Sequence, residues 1–153
     1  MDIKKIIFVI LITSFFFNNA HTIEPDVFVQ STVNRASSIL SKDFSKEEKI
    51  SELKLIAKET VDIRGVGFYS LGAARKNLNE EQKRKYSRLF EAYFLKSFSS
   101  RLAEYTNPEI EVKNKQVLNT NYTIVNSILI ATSDRPEVKI DWRVYTKNPD
   151  NPL

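Results

Sequence analysis

The residue types that carry most protein chemistry are nearly missing from this chain. It contains one histidine, His21, and no cysteine. A serine or cysteine nucleophile paired with a histidine base cannot be assembled in its interior, and neither can a His/Cys metal centre. His21 sits near the start of the chain, where ends fray. The remaining acid–base candidates are carboxylates. Asp62 is better placed to cap a helix than to shuttle protons. Asp141 falls on the polar side of the alternating segment "VKIDWRVY". No two carboxylates are brought together by spacing. "GVG" at Gly65–Gly67 has no strand before it and lacks the remaining glycines of a phosphate loop. These glycines read as helix-packing or kink positions. Nothing implies a metal or a cofactor.

A second group of residues offers surface chemistry. "RKNLNEEQKRKYSR" carries Arg75, Lys76, Lys83, Arg84, Lys85 and Arg88. A solvated helix face with internal ion pairs explains it. A surface for anionic headgroups or an acidic partner is the sharper reading. The whole chain has 153 residues and a formal net charge of +4. That is too small an excess to be a nucleic-acid footprint.

The elements that position these residues are legible in outline. The chain opens "MDIKKIIFVILITSFFFNNA". Lys4 and Lys5 precede an apolar run from Ile6 to Phe17, which is too short to cross a bilayer. With Ala20 as a small residue before a cleavage point, residues 1–20 read as a secretory signal peptide. Residues 21–153 then form one domain, exported to a bacterial periplasm, where the lack of cysteine costs nothing.

Pro25 opens a first helix, with Val29, Val33, Ala36 and Leu40 on one face. "SKEE" at Ser45–Glu48 is a capping box for a second helix, striped by Ile50, Leu53, Ile56 and Ala57. Asp62 caps a short third helix reaching Leu71. Asn79 and Gln82 repeat the capping box before the longest element, from Asn79 to Tyr105. Its stripe is Tyr86, Phe90, Phe94, Phe98, Leu102 and Tyr105, widened by Leu89 and Tyr93.

After Pro108 the apolar period changes from 3.6 to 2. Strands are expected from Ile110 to about Leu118, over Tyr122–Ile130, and from Val138 to Tyr145. In the second, Tyr122, Ile124, Asn126, Ile128 and Ile130 are expected to face inward. In the third, Val138, Ile140, Trp142 and Val144 are. Helices followed by an antiparallel meander make an α+β fold, with the helices on one face of the sheet. So many aromatics on one helix leave two possibilities open: a plain core, or an apolar cavity between helices and sheet.

From Val61 to Val112 the chain resembles the MlaC family, also called the toluene-tolerance auxiliary family. The matching residues are "VD" at Val61–Asp62, "LG" at Leu71–Gly72, "EQ" at Glu81–Gln82 and the spaced aromatic helix beyond. The resemblance implies a periplasmic phospholipid-binding carrier with a lipid cavity between helices and sheet. It implies phospholipid, an inner-membrane ABC lipid transporter complex and an outer-membrane lipoprotein complex as partners, no nucleic acid, and no catalysis. Candidate tail-lining residues, chosen by facing, are Val66, Leu71, Phe90, Phe94, Phe98, Leu102, Ile128, Ile130, Trp142 and Val144. Two departures stand out. Ala73, Ala74 and Arg75 replace the bulky aromatics that follow "LG" in the family. The family also continues with further strands and a terminal helix beyond the pattern found here. That departure leads us to expect weak lipid retention and an unpaired edge on the last strand. Alternatives from other classes are a small α+β enzyme acting on an apolar substrate, and a truncated fragment of the family without function.

Overall fold

A computed structural model describes residues 23–148 and 152–153. The signal peptide expected over residues 1–20 lies outside them. Among the described residues four α-helices precede three strands. They are α1 (Pro25–Ser41), α2 (Lys46–Thr60), α3 (Ile63–Ser70) and α4 (Glu80–Leu102), with a 3-10 turn at Gly72–Asn77 between the last two. The strands β1 (Ile110–Asn119), β2 (Tyr122–Leu129) and β3 (Val138–Tyr145) form an antiparallel sheet in the order β1-β2-β3. The fold is α+β, helices first. Among the described residues no helix is long and apolar enough to cross a membrane.

The helix starts follow the local chemistry. Pro25 occupies the first turn of α1, where its missing N–H is not needed. Ser45 and Glu48 form the reciprocal capping box of α2, and Asn79 and Gln82 that of α4. Asp62 accepts the Gly65 N–H at 2.9 Å and starts α3. α4 stops at Leu102, three residues short of the expected end. The Glu104 and Tyr105 N–H groups bond back only three residues, to Arg101 and Leu102. Pro108 cannot extend the ladder. At 23 residues α4 is about 34 Å long.

The core is split in two. In the first part α1 lies on the sheet and buries Val29 and Val33 against Val125 and Val144. Each such side chain stabilises the fold by roughly 1.5–3 kcal/mol. In the second part Ala57 of α2, Ile63 of α3 and Leu95 of α4 pack together, joined by Phe90, Phe94 and Phe98. Ser37 ties the parts together by donating to the Pro108 carbonyl at 2.9 Å.

Two expectations about facing are corrected. In β2 the buried residues are Thr123, Val125, Ser127 and Leu129; Tyr122, Ile124, Asn126, Ile128 and Ile130 are only half-buried. A strand's side chains alternate, so choosing the wrong parity moves every residue to the other face. On α4, Leu89 and Tyr93 are exposed instead of widening the stripe, while Leu95 and Ser99 are buried.

The start of α1 is tied to β1 by charge. Lys115 Nζ lies 2.6 Å from both Asp26 Oδ1 and Glu24 Oε2. The hydrogen bond from Lys115 holds the Asp26 carboxyl below its ordinary value of 3.8. A carboxyl with a lowered folded pKa stabilises the fold above its unfolded pKa, and that contribution is lost as the pH falls through the folded value. Glu48 and Glu80 are lowered for similar local reasons, by Ser45 and by Lys83 respectively. Stability should therefore hold from neutrality down to about pH 4 and decline below it. Asp26→Asn should flatten part of that decline in an acid titration followed by circular dichroism.

Candidate functional site: an apolar cavity between helices and sheet

The two parts of the core do not close on each other. A cavity of about 860 Å³ lies between them. Ligand cavities run from about 300 to 1,000 Å³, so this one is near the upper end. α1 supplies Phe28, Thr32 and Ala36, α2 supplies Leu53 and Ile56, and β3 supplies Trp142 and Val144. α4 reaches it only with its last turns, through Phe98 and Leu102.

Local sequence explains each wall. β3 turns Ile140, Trp142 and Val144 to the helices, as its alternation requires. The Trp142 indole N–H donates to Ser127 Oγ at 2.7 Å. Its polar atom is thereby satisfied by the sheet, and its ring can present carbon to the cavity. On α4 the apolar residues recur every four positions, which is 40° more than a full turn. The stripe therefore drifts around the helix. Phe90 and Phe94 pack with Ile63 and Ala57, and Phe98 and Leu102 come round to the cavity. The rings form a continuous ladder. Tyr86–Phe90, Phe90–Phe94 and Phe94–Phe98 centroids are 5.8, 6.2 and 5.2 Å apart.

α3 borders the cavity with Gly65, Val66 and Tyr69. Val66 is exposed as well, and Tyr69 is 76% exposed, so this edge is a mouth. Gly67 explains how α3 can lie so close to α4. A Cβ added there would stand 2.8 Å from Phe90 Cδ1. Gly67→Ala is expected to push on a ring held between Tyr86 and Phe94. Overpacking costs about 1–3 kcal/mol and helix propensity returns about 1, leaving a net loss on the order of 1 kcal/mol. Urea unfolding would measure it.

Of the ten candidate residues, Val66, Phe98, Leu102, Trp142 and Val144 border the cavity. Leu71, Phe90, Phe94, Ile128 and Ile130 do not. Leu71 caps the end of α3, and the two phenylalanines belong to the helical cluster. Ile128 is on the face of β2 turned away from α1, opposite Lys139, and Ile130 lies just past the strand. The main walls missed by the sequence reading are α1 and α2. Their signal was present as an apolar face on α1 that Phe28 and Thr32 broaden beyond a simple stripe.

Several polar groups at the cavity have partners elsewhere. The Asp62 carboxylate holds the Gly65 N–H, and Asp141 Oδ1 accepts from Asn126 Nδ2 at 2.6 Å. Thr60 Oγ1 donates to the Ile56 carbonyl at 2.8 Å. Among the described residues no group of three or more His, Cys, Asp or Glu could hold a metal ion. The arrangement can sequester apolar matter.

A search of curated protein sequences returned no match. Among solved structures, the chain is similar to a phospholipid-binding protein from Ralstonia solanacearum, solved in complex with a phospholipid. The TM-score is 0.67 at 14% identity, covering 85% of this chain and 74% of that one. The two share a fold. The family model described as MlaC protein matches residues 30–152. That match runs from within α1 to beyond the end of β3, most of the chain, and places the chain in the MlaC family.

Proposed function

We propose that this protein is a periplasmic phospholipid carrier. It takes the acyl tails of one lipid into the cavity between sheet and helices, and releases them elsewhere without breaking a bond. The observation that carries this reading is the cavity itself: about 860 Å³, walled mainly by apolar side chains. The Ralstonia protein of the same fold, solved with a phospholipid bound, supports it.

The energetics explain why such a cavity would be needed. Two acyl tails hold roughly 30 methylenes, each worth about 0.8 kcal/mol when removed from water. Unaided transit through water therefore costs on the order of 24 kcal/mol. Moving the tails from a bilayer into an apolar cavity exchanges one hydrocarbon environment for another. The net free energy is then small in either direction, and a carrier can both load and unload. Direction is left to the partners, which in this proposal are an inner-membrane ABC lipid transporter complex and an outer-membrane lipoprotein complex. Val66 and Tyr69 mark the mouth, where an aromatic ring suits the boundary between apolar cavity and water.

Vesicle transfer tests the reading. Purified protein should move radiolabelled phospholipid from donor to acceptor vesicles, at a rate that rises with protein concentration. No transfer above the spontaneous rate would refute it. An enzyme acting on an apolar compound would instead change the lipid's mass.

A further inference from the structure

Charge is spread unevenly along the chain. From Arg64 to Arg88 seven cations stand against two carboxylates, Glu80 and Glu81, a net of +5, while the whole chain carries +4. All other residues together therefore sum to −1. Internal ion pairs do not explain the run. Among the described residues only Lys83 of the seven has one, to Glu80 at 2.8 Å. Arg64 rests over the Phe68 ring, 5.5 Å from its centroid. Arg75, Lys76, Arg84, Lys85 and Arg88 are exposed.

The fold gathers these cations at one corner. Tyr86 Oη lies 3.0 Å from Ser70 Oγ and 3.2 Å from the Gly67 carbonyl oxygen, so the start of α4 is fastened to α3. The 3-10 turn that carries Arg75 and Lys76 joins the same two helices. α3 thus has the cation-rich start of α4 on one side and the cavity mouth, at Val66 and Tyr69, on another. Cations continue along the outer face of α4. Lys85, Leu89 and Tyr93 recur every four residues and are all exposed, and Lys96 follows three residues on. Leu89 is 59% exposed and Tyr93 68%. An apolar pair set between cations on an outer helix face is the pattern of a side that lies on a lipid surface.

We propose that this corner docks the protein on an anionic phospholipid membrane. Arg75, Lys76, Arg84, Lys85 and Arg88 meet headgroup phosphates, whose charge complements theirs. Leu89 and Tyr93 settle at the boundary between headgroups and tails. Docking in this way holds the neighbouring mouth of the cavity near the bilayer. The choice of a lipid surface over an acidic protein rests on the carrier reading, because a cavity that loads tails from a bilayer must be held against one. The concentration of charge does not depend on that reading.

Co-sedimentation with vesicles tests the proposal. Vesicles of equal parts phosphatidylglycerol and phosphatidylcholine should bind the protein about a hundredfold more tightly than phosphatidylcholine alone, the effect of three cations at about fivefold each. Rising salt should weaken the binding. Lys85→Gln combined with Arg88→Gln should weaken it about 25-fold by the same reckoning. Lys42→Gln combined with Lys46→Gln removes the same charge from exposed positions between α1 and α2, and should leave binding nearly unchanged. The absence of cysteine lets Tyr93→Cys carry a single polarity-sensitive dye, whose emission should shift to the blue on anionic vesicles. No preference for anionic vesicles, equal losses from the two double variants, or an unshifted dye on bound protein overturns the proposal. So does binding to polyglutamate with none to either vesicle, which would assign the corner to an acidic protein. Anionic docking without lipid transfer would refute the carrier reading and leave the docking surface standing. Transfer without any preference for anionic vesicles would do the reverse.

Discussion

Val125→Asp is expected to abolish the folded state at 25 °C. Val125 is 0% exposed, packed against Val29 and Val33 of α1 and Val144 of β3. No basic side chain belongs to that cluster. An uncompensated buried charge costs about 3–5 kcal/mol, and the lost valine contact adds about 1.5–3. The sum is comparable with the whole stability of a domain, about 5–15 kcal/mol. Circular dichroism should show loss of the cooperative thermal transition. Ile124→Asp, one residue away on the opposite face, should change stability by about 1 kcal/mol or less. If the two variants behave in the reverse order, the facing of β2 is wrong.

Ala36→Trp is expected to separate a cavity from a core. Ala36 borders the cavity from α1 and is half-buried. In a close-packed core an indole at this position would force the helices apart, and overpacking would cost about 1–3 kcal/mol or more. In an open cavity it fills space, so stability should hold or rise. Bound lipid pays instead. If the indole displaces on the order of six methylenes, about 5 kcal/mol of tail burial is lost, between three and four decades of affinity. Thermal unfolding and vesicle transfer, measured on the same preparation, read the two effects separately. Lost stability with unchanged transfer would argue for a plain core.

These two tests bear on features that the sequence discloses unequally. Helix starts are local chemistry: Pro25 announces its helix by a ring that fixes φ and needs no N–H partner, and Ser45, Asp62 and Asn79 announce theirs with side chains that bond within three residues. The change of period after Pro108 marks the passage from helix to sheet. β3 is plain because its two faces differ in kind, with Ile140, Trp142 and Val144 against Lys139, Asp141 and Arg143. β2 is not, because each parity contains apolar residues. Ile124 and Ile128 compete with Val125 and Leu129, and the inward set includes Thr123 and Ser127. Ser127 is buried because Trp142, on another strand, donates to it. That reason is tertiary, and no window along β2 contains it.

The cavity was legible in kind and only partly in place. An excess of aromatics on α4 pointed to an apolar space, but a four-residue spacing drifts around a helix. Half of the ladder therefore faces α3, and only the last turns face the cavity. Gly67 was readable as a packing position, since a glycine within an apolar helix usually admits a neighbour; which neighbour, Phe90, depends on how α3 crosses α4. The contributions of α1 and α2 follow from their orientation across the gap, which helical periodicity alone does not set.

Native mass spectrometry of the protein purified from the periplasm tests the central claim most directly. Against the weak retention expected from the sequence, the cavity of about 860 Å³ leads the account to predict folded protein carrying the mass of an intact phospholipid, and loss of that mass in Ala36→Trp. Folded protein that carries no phospholipid, and acquires none after incubation with phospholipid vesicles, would contradict it.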